Sequence, residues 1–206
     1  MAEGTLVITI SNQVTAPAPV AGAFITGWHV PTRAEFAALS TFLGGDAVAG
    51  GKLKEAGLTH WDNPNLGADN SSGFTAFGGG FRTDTGVFDF QNIEGDFWAS
   101  DAYDATQSYY SLLLYDTAIF YPDDYVQVNK YGNSLRLIKD DSVDPGTVMD
   151  YDGYLYETVK IGTQVWMAAN LRTTHYADGT PIPIVTDNAA WAALTTAGMC
   201  YYNNTP

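Results

Sequence analysis

The residues best suited to do chemistry lie between Trp98 and Tyr131. Tyr103, Tyr109, Tyr110, Tyr115, Phe120, Tyr121, Tyr125 and Tyr131 are interleaved there with Asp101, Asp104, Gln107, Asp116, Asp123 and Asp124. Tyrosine offers a large, stiff contact area at low rotamer cost, and neighbouring Asp or Gln supplies adaptable hydrogen bonds, a combination suited to recognising another surface. Alternation along strands turns some rings inward, Tyr110 and Phe120 among them, while those on turns face out. The expected ligand-contacting set is Tyr103, Asp104, Gln107, Tyr115, Asp116, Tyr121, Asp123 and Asp124, and the expected partner is a surface glycan or a protein receptor.

Catalytic constellations are poorer. His29, His60 and His175 are far apart, and none has a second ligand at helical or hairpin spacing, so packing beside Trp28 and Trp61 is expected and no metal ligand is assigned. No Gly-x-Ser-x-Gly elbow is present. The single Cys200 has no nearby His and no partner for an intrachain disulfide, which points to an inert packed thiol. Gly78-Gly79-Gly80 is followed by Phe81 rather than by the Lys-Ser/Thr of a phosphate loop. Asp123-Asp124 and Asp140-Asp141 could act as an acid–base pair, but they are placed in turns, where carboxylates are solvated by default. The Asp/Asn clusters at 62–65, 69–70 and 140–152 do not match an EF-hand loop. The expectation is a protein that is not an enzyme and carries no cofactor.

The elements that must position these residues read as follows. Thr5–Ser11 alternates like a strand, with Thr5, Val7, Thr9 and Ser11 on one face, and a Pro-rich connector, Gln13–Val20, follows it. Pro31–Leu43 is a helix with Thr32 as N-cap and Glu35 completing a capping box. Shorter helices are predicted at Asp46–Ala56 and from an Asp187 N-cap through Trp191 to Leu194. Strands are predicted at Phe74–Phe77, Gly86–Phe90, Tyr109–Tyr115, Ala118–Tyr121, Tyr125–Asn129 and Ser134–Lys139. Asp140–Asp152 is an acidic linker, and Tyr154–Ile161 with Gln164–Ala168 forms a hairpin about Gly162-Thr163. The class is α+β, with short antiparallel sheets, two or three short helices and long loops.

The 206 residues carry 9 Lys+Arg against 23 Asp+Glu, a net charge of −14. A chain so short of bases lacks the stripe that phosphates require, so nucleic acid and anionic membranes are not expected partners. No apolar run approaches the roughly 20 residues of a membrane span. Met1–Pro19 lacks the basic start and apolar block of a secretory signal.

Several stretches together resemble the Fibrobacter succinogenes major paralogous domain. They are Gly27–Glu35 (GWHVPTRAE), Leu43–Gly57, His60–Asn65 (HWDNPN), Ser72–Phe74, Gly79–Arg82 (GGFR), Phe97–Ser100 (FWAS), Val159–Asn170 (VKIGTQVWMAAN) and Asp178–Asp187. In that family the segment similar to VKIGTQVWMAAN opens the domain, and the one similar to Lys130–Lys139 closes it. The resemblance therefore implies a circular permutation: an arm at 1–23, then one domain at 24–206, with the family's second half at 24–140, a linker at 141–153 and the family's first half at 154–206. Ser134–Lys139 would pair with Tyr154–Ile161.

The Trp-His-Val-Pro-Thr stretch also resembles the helix of sulfatase-modifying proteins, which implies a C-type-lectin-like fold. Their oxidase chemistry needs paired cysteines, which this chain lacks. The lectin-like relation implies that calcium is conceivable in the loops and that ligands are presented on the Trp98–Tyr131 part of the fold. It further implies an extracellular or virion setting, such as a phage receptor-binding protein. The alternatives are a structural subunit that exchanges the Thr5–Ser11 strand with its own copies or other subunits, as a homo-oligomer, and a secreted bacterial surface module.

Overall fold

The computed structural model describes residues 6–9, 24–144 and 146–205, the first of these as backbone only. Strand β1 (Leu6–Thr9) is followed by β2 (Trp28–His29), α1 (Arg33–Phe42) and α2 (Asp46–Leu53). Then come β3 (Phe81–Arg82), β4 (Phe88–Asp89), β5 (Glu94–Ala102), β6 (Gln107–Leu114), β7 (Phe120–Val128) and β8 (Ile138–Lys139). The chain ends with β9 (Thr147–Met149), β10 (Leu155–Ile161), β11 (Gln164–Met167), α3 (Asn188–Ala192), β12 (Gly198–Tyr201) and a 3₁₀ turn, Tyr202–Asn204. The result is α+β and mostly β.

Helix α1 starts as its sequence dictates. Thr32 accepts from the Glu35 amide, and the Glu35 carboxylate accepts from the Thr32 amide at 2.7 Å, so two orphan donors are satisfied reciprocally. Helix α2 ends three residues before its predicted limit, because Lys54 is already extended. Its two glycines, weak helix formers, are there for close approach: a Cβ on Gly50 would lie 2.3 Å from the Ile119 carbonyl oxygen, and one on Gly51 2.4 Å from that of Gly67.

Four sheets are present among the described residues: β1-β12, β2-β8-β11-β10-β9, β3-β4 and β5-β6-β7. Strand β5 is buried on both faces and divides the interior. Phe97 and Ala99 join Phe36, Leu39, Leu53, Trp61, Phe74, Phe120 and Trp166 in the main core. Trp98 faces the other way, into a second core with Leu135, Leu137, Val165 and Met167.

Four strand predictions are corrected. Ser134–Lys139 does not pair with β10. Its end, β8, pairs with β11 at Trp166↔Ile138, and the Met167 amide donates to Leu137 O at 3.1 Å. Val165, Trp166 and Met167 are fully buried while β10 is half polar, so the apolar strand of the hairpin takes the interior place and β10 continues outward to β9. The predicted strands Ala118–Tyr121 and Tyr125–Asn129 are one strand, β7. It runs through Pro122-Asp123-Asp124 because β7 is the outer strand of its sheet, where a proline's missing donor costs no ladder bond. Phe74–Phe77 forms only a single bridge, Ala76 with Lys54, and the acidic linker contains β9.

Candidate recognition face

The eight residues expected to contact a ligand fall into three groups. Tyr103 and Asp104 lie in the β5–β6 turn and Gln107 opens β6; Tyr115 and Asp116 lie beyond the other end of β6; Tyr121, Asp123 and Asp124 lie on β7. Strand β6 separates the first two groups by its full length, eight residues or about 26 Å.

Of the middle pair, Tyr115 is structural and Asp116 is exposed. Tyr115 packs against the main core, its amide donates to Ile93 O at 3.0 Å and its carbonyl accepts from Leu66 at 2.7 Å. Asp116 acts on the ammonium of buried Lys54. Asp104 builds its own turn: Oδ1 accepts from the Thr106 amide at 2.7 Å and the Gln107 amide at 2.9 Å, and these bonds hold the carboxyl below its ordinary range. Asp123 and Asp124 are strand residues rather than turn residues, contrary to the sequence reading.

What remains is divided between the two faces of the β5-β6-β7 sheet. On one face Tyr103, 56% exposed, meets Tyr109 edge-on at 5.6 Å, and the Arg33 guanidinium lies 3.8 Å over the Tyr109 ring. Arg33 is fixed there from both ends. Its amide donates to Asp101 at 2.7 Å, and Nε and Nη2 both donate to the Asp123 carbonyl, at 3.0 and 2.7 Å. This fork occupies a backbone acceptor on the outer strand, one way of blunting a sheet edge. On the other face Tyr121, Tyr125, Tyr110 and Trp98 form a ladder with centroid steps of 5.5, 5.8 and 6.4 Å. Arg33 is the member that sequence reading missed; it sits at the start of a helix remote in sequence, and only the tertiary fold brings it to Tyr109.

Beneath the ladder Asp96 is fully buried, with neither carboxylate oxygen hydrogen-bonded. Burial, reinforced by the charge of Glu94, pushes its carboxyl well above the usual range. The unfolded chain releases this proton at an ordinary aspartate pKa and the folded chain does not, so Asp96 lowers stability as pH rises from about 4 toward its folded value. Urea unfolding at pH 5 and pH 8 should therefore show Asp96→Asn gaining on the wild type at the higher pH. A stability difference independent of pH would contradict this.

The three histidines are bound to carboxylates. His29 Nδ1 lies 2.7 Å from Asp140 and Nε2 3.0 Å from Glu35; His60 lies 2.8 Å from Glu55, and His175 2.5 Å from Asp152. The Glu35 bond raises the His29 pKa against the opposing effect of burial, with Asp140 adding to it. Among the described residues no group of three or more His, Cys, Asp or Glu is arranged to hold a metal ion. Cys200 is buried, and burial pushes its thiol up to about 11. No helix among the described residues is long and apolar enough to cross a membrane.

The sequence profile of the Fibrobacter succinogenes major domain matches residues 22–139 and 159–206. The chain belongs to this family. No curated protein and no solved structure matches it significantly. The Fibrobacter succinogenes major domain match covers both tyrosine clusters, Arg33 and Asp96, and leaves out 1–21 and 140–158. Strands β1 and β9 therefore lie outside it, each bordering a sheet: β1 runs antiparallel to β12 with Val7↔Cys200 and Thr9↔Gly198, and β9 runs antiparallel to β10. Thr5 and Ser11, two of the four residues expected to take part in assembly, lie outside the described residues.

The two matched blocks are bolted together by buried arginines. Arg136 donates to Phe74 O and Thr75 O in the first block and to Met167 O and Asn170 Oδ1 in the second. Arg82 reaches from the first block to Val185 O, Thr186 O and Asn188 Oδ1.

Proposed function

We propose that this chain is a non-catalytic recognition module, and that the exposed tyrosines of the β5-β6-β7 sheet, centred on Tyr103 in the β5–β6 turn, are what it presents to a surface glycan or protein receptor. The observation that carries the reading is Tyr103, exposed and edge-packed on Tyr109, with Arg33 clamped over the same ring. A rigid aromatic platform with adaptable polar neighbours loses little entropy on binding. Display outside a cell or on a virion, and a circularly permuted, lectin-like ancestry, belong to the same reading. The packing of the two matched blocks against each other through β8 and β11 is compatible with the permutation.

Glycan-array and whole-cell binding of the intact chain tests this reading. A reproducible signal is expected; its absence from both formats refutes recognition. Hydrolysis of any bound glycan that Asp123→Asn or Asp104→Asn abolishes refutes the non-catalytic part.

A second reading is assembly by exchange of β1 between copies, giving homo-oligomers. It is favoured by a strand outside the family match completing a sheet with a strand inside it. Position 7 faces Cys200 in the register, so oxidation of Val7→Cys should link the two within one chain if β1 stays at home, and between chains if it is exchanged.

A further inference from the structure

The structure assigns a second binding site, for a neutral polyhydroxylated ligand such as one sugar unit, to the open groove between the β3–β4 hairpin and the C-terminal turn. Gly86, Val87, Phe88, Asn188, Asn203 and Asn204 line it. The first three belong to one matched block and the asparagines to the other, so the groove exists only when the blocks close on each other.

The chemistry of the lining selects the ligand class. None of the six side chains is charged, so an ionic ligand would find no counter-charge among them. Two of the three amides are fixed at one end and available at the other. Asn188 Oδ1 accepts from Arg82 Nη2 at 2.9 Å, a bond that uses the amide oxygen and not its N–H donors. Asn204 Nδ2 donates to Thr186 O at 3.1 Å, which leaves its carbonyl oxygen as an acceptor. Asn203 adds a further amide. A donor and an acceptor lining one groove suit hydroxyls, which both donate and accept. Val87, 52% exposed, supplies an apolar wall for a C–H face.

The site is also built rather than incidental. Arg82 is fully buried, stacks 4.2 Å from the Trp191 ring and 4.8 Å from that of Phe88, and donates to Gly86 O at 2.9 Å, so one guanidinium holds both walls. Gly86 has φ +89, and a Cβ there would lie 2.7 Å from Asn188 Cα, so only glycine allows the hairpin to close on the asparagine. Asn203 and Asn204 have φ 50 and 55, a left-handed pair that asparagine tolerates best among non-glycine residues.

The test is a titration of the full chain by ¹H–¹⁵N spectroscopy with the methyl glycosides of glucose, galactose, mannose and N-acetylglucosamine. At least one should shift the side-chain amides of Asn188, Asn203 and Asn204 and the backbone of Gly86–Phe88 saturably, with a Kd of about 1–10 mM. Asn188→Asp keeps the oxygen that Arg82 needs and removes the amide donors; Asn203→Gly keeps the positive φ and removes the amide. Each should weaken binding about tenfold while the thermal midpoint stays within about 3 °C of the wild type. No saturable shift with any of the four glycosides overturns the assignment, as do shifts that both variants leave unchanged. Shifts confined to Tyr103, Tyr109 and Tyr125 overturn it too, while supporting the tyrosine face, so the two sites fail separately.

Discussion

Arg136→Met should destabilise the protein by about 3–5 kcal/mol in urea unfolding at pH 7. The guanidinium is fully buried and makes five hydrogen bonds: two to Asn170 Oδ1 and one each to the carbonyls of Phe74, Thr75 and Met167. It also stacks 4.3 Å from the Phe74 ring. Burial lowers its pKa to about 9, which still leaves it charged at neutral pH. Methionine fills much of the volume and none of the donor positions, stranding four acceptors away from water. Arg136→Lys should recover only part of the loss, because an ammonium cannot reproduce a planar fork with contacts on both sides. A loss below about 1 kcal/mol would mean that the blocks are held together without this bolt.

Lys54→Met comes second, at about 2–4 kcal/mol. The fully buried Nζ donates to Leu66 O at 3.1 Å, Leu114 O at 2.9 Å and Thr117 O at 2.8 Å, tying the end of α2 and the following loop to the β6–β7 turn. Burial lowers its pKa to about 8, with the Asp116 charge opposing the fall, so the ammonium keeps its three donors at pH 7. Methionine preserves the stem and leaves three carbonyls unanswered. Hydrogen exchange should localise the damage, with faster exchange around Leu66 and in the β6–β7 turn than in β10–β11. Uniformly faster exchange would indicate that Lys54 acts on global stability alone.

These two residues also mark where sequence reading stops. The capping box at Thr32–Glu35, the Asp187 cap of α3 and the β10–β11 hairpin were legible because each is written in residues a few positions apart. The family was legible from short motifs spread over both blocks. Buried cations were not. Alternation in Ser134–Lys139 gives Arg136 a polar face, yet the strand is covered on both sides and the arginine is satisfied by carbonyls some sixty residues before it and thirty after, as its spacings of 62 and 31 residues record. Strand β5 escaped prediction for the same reason: buried on both faces, it shows no alternation.

The candidate face was half legible. Composition located the tyrosines and the acids, but only the register separates Tyr103 and Tyr125, which are free to meet a ligand, from Tyr115, which is packed against the core. Asp104 carries a turn duty that sequence spacing could not distinguish from ligand contact. Conversely, the groove at Asn188, Asn203 and Asn204 had no signature, because its walls come from two different matched blocks.

One comparison bears directly on the exposed tyrosines of the β5-β6-β7 sheet. Tyr103→Ala combined with Tyr125→Ala removes two exposed rings, 56% and 39% exposed, and touches none of the arginine or lysine bolts. Whole-cell and array binding of this variant should fall at least tenfold while its unfolding midpoint stays close to the wild type's, as expected for aromatic anchors each worth about 1–2 kcal/mol. Binding equal to that of the wild type in an equally stable variant would contradict the assignment of these tyrosines to recognition.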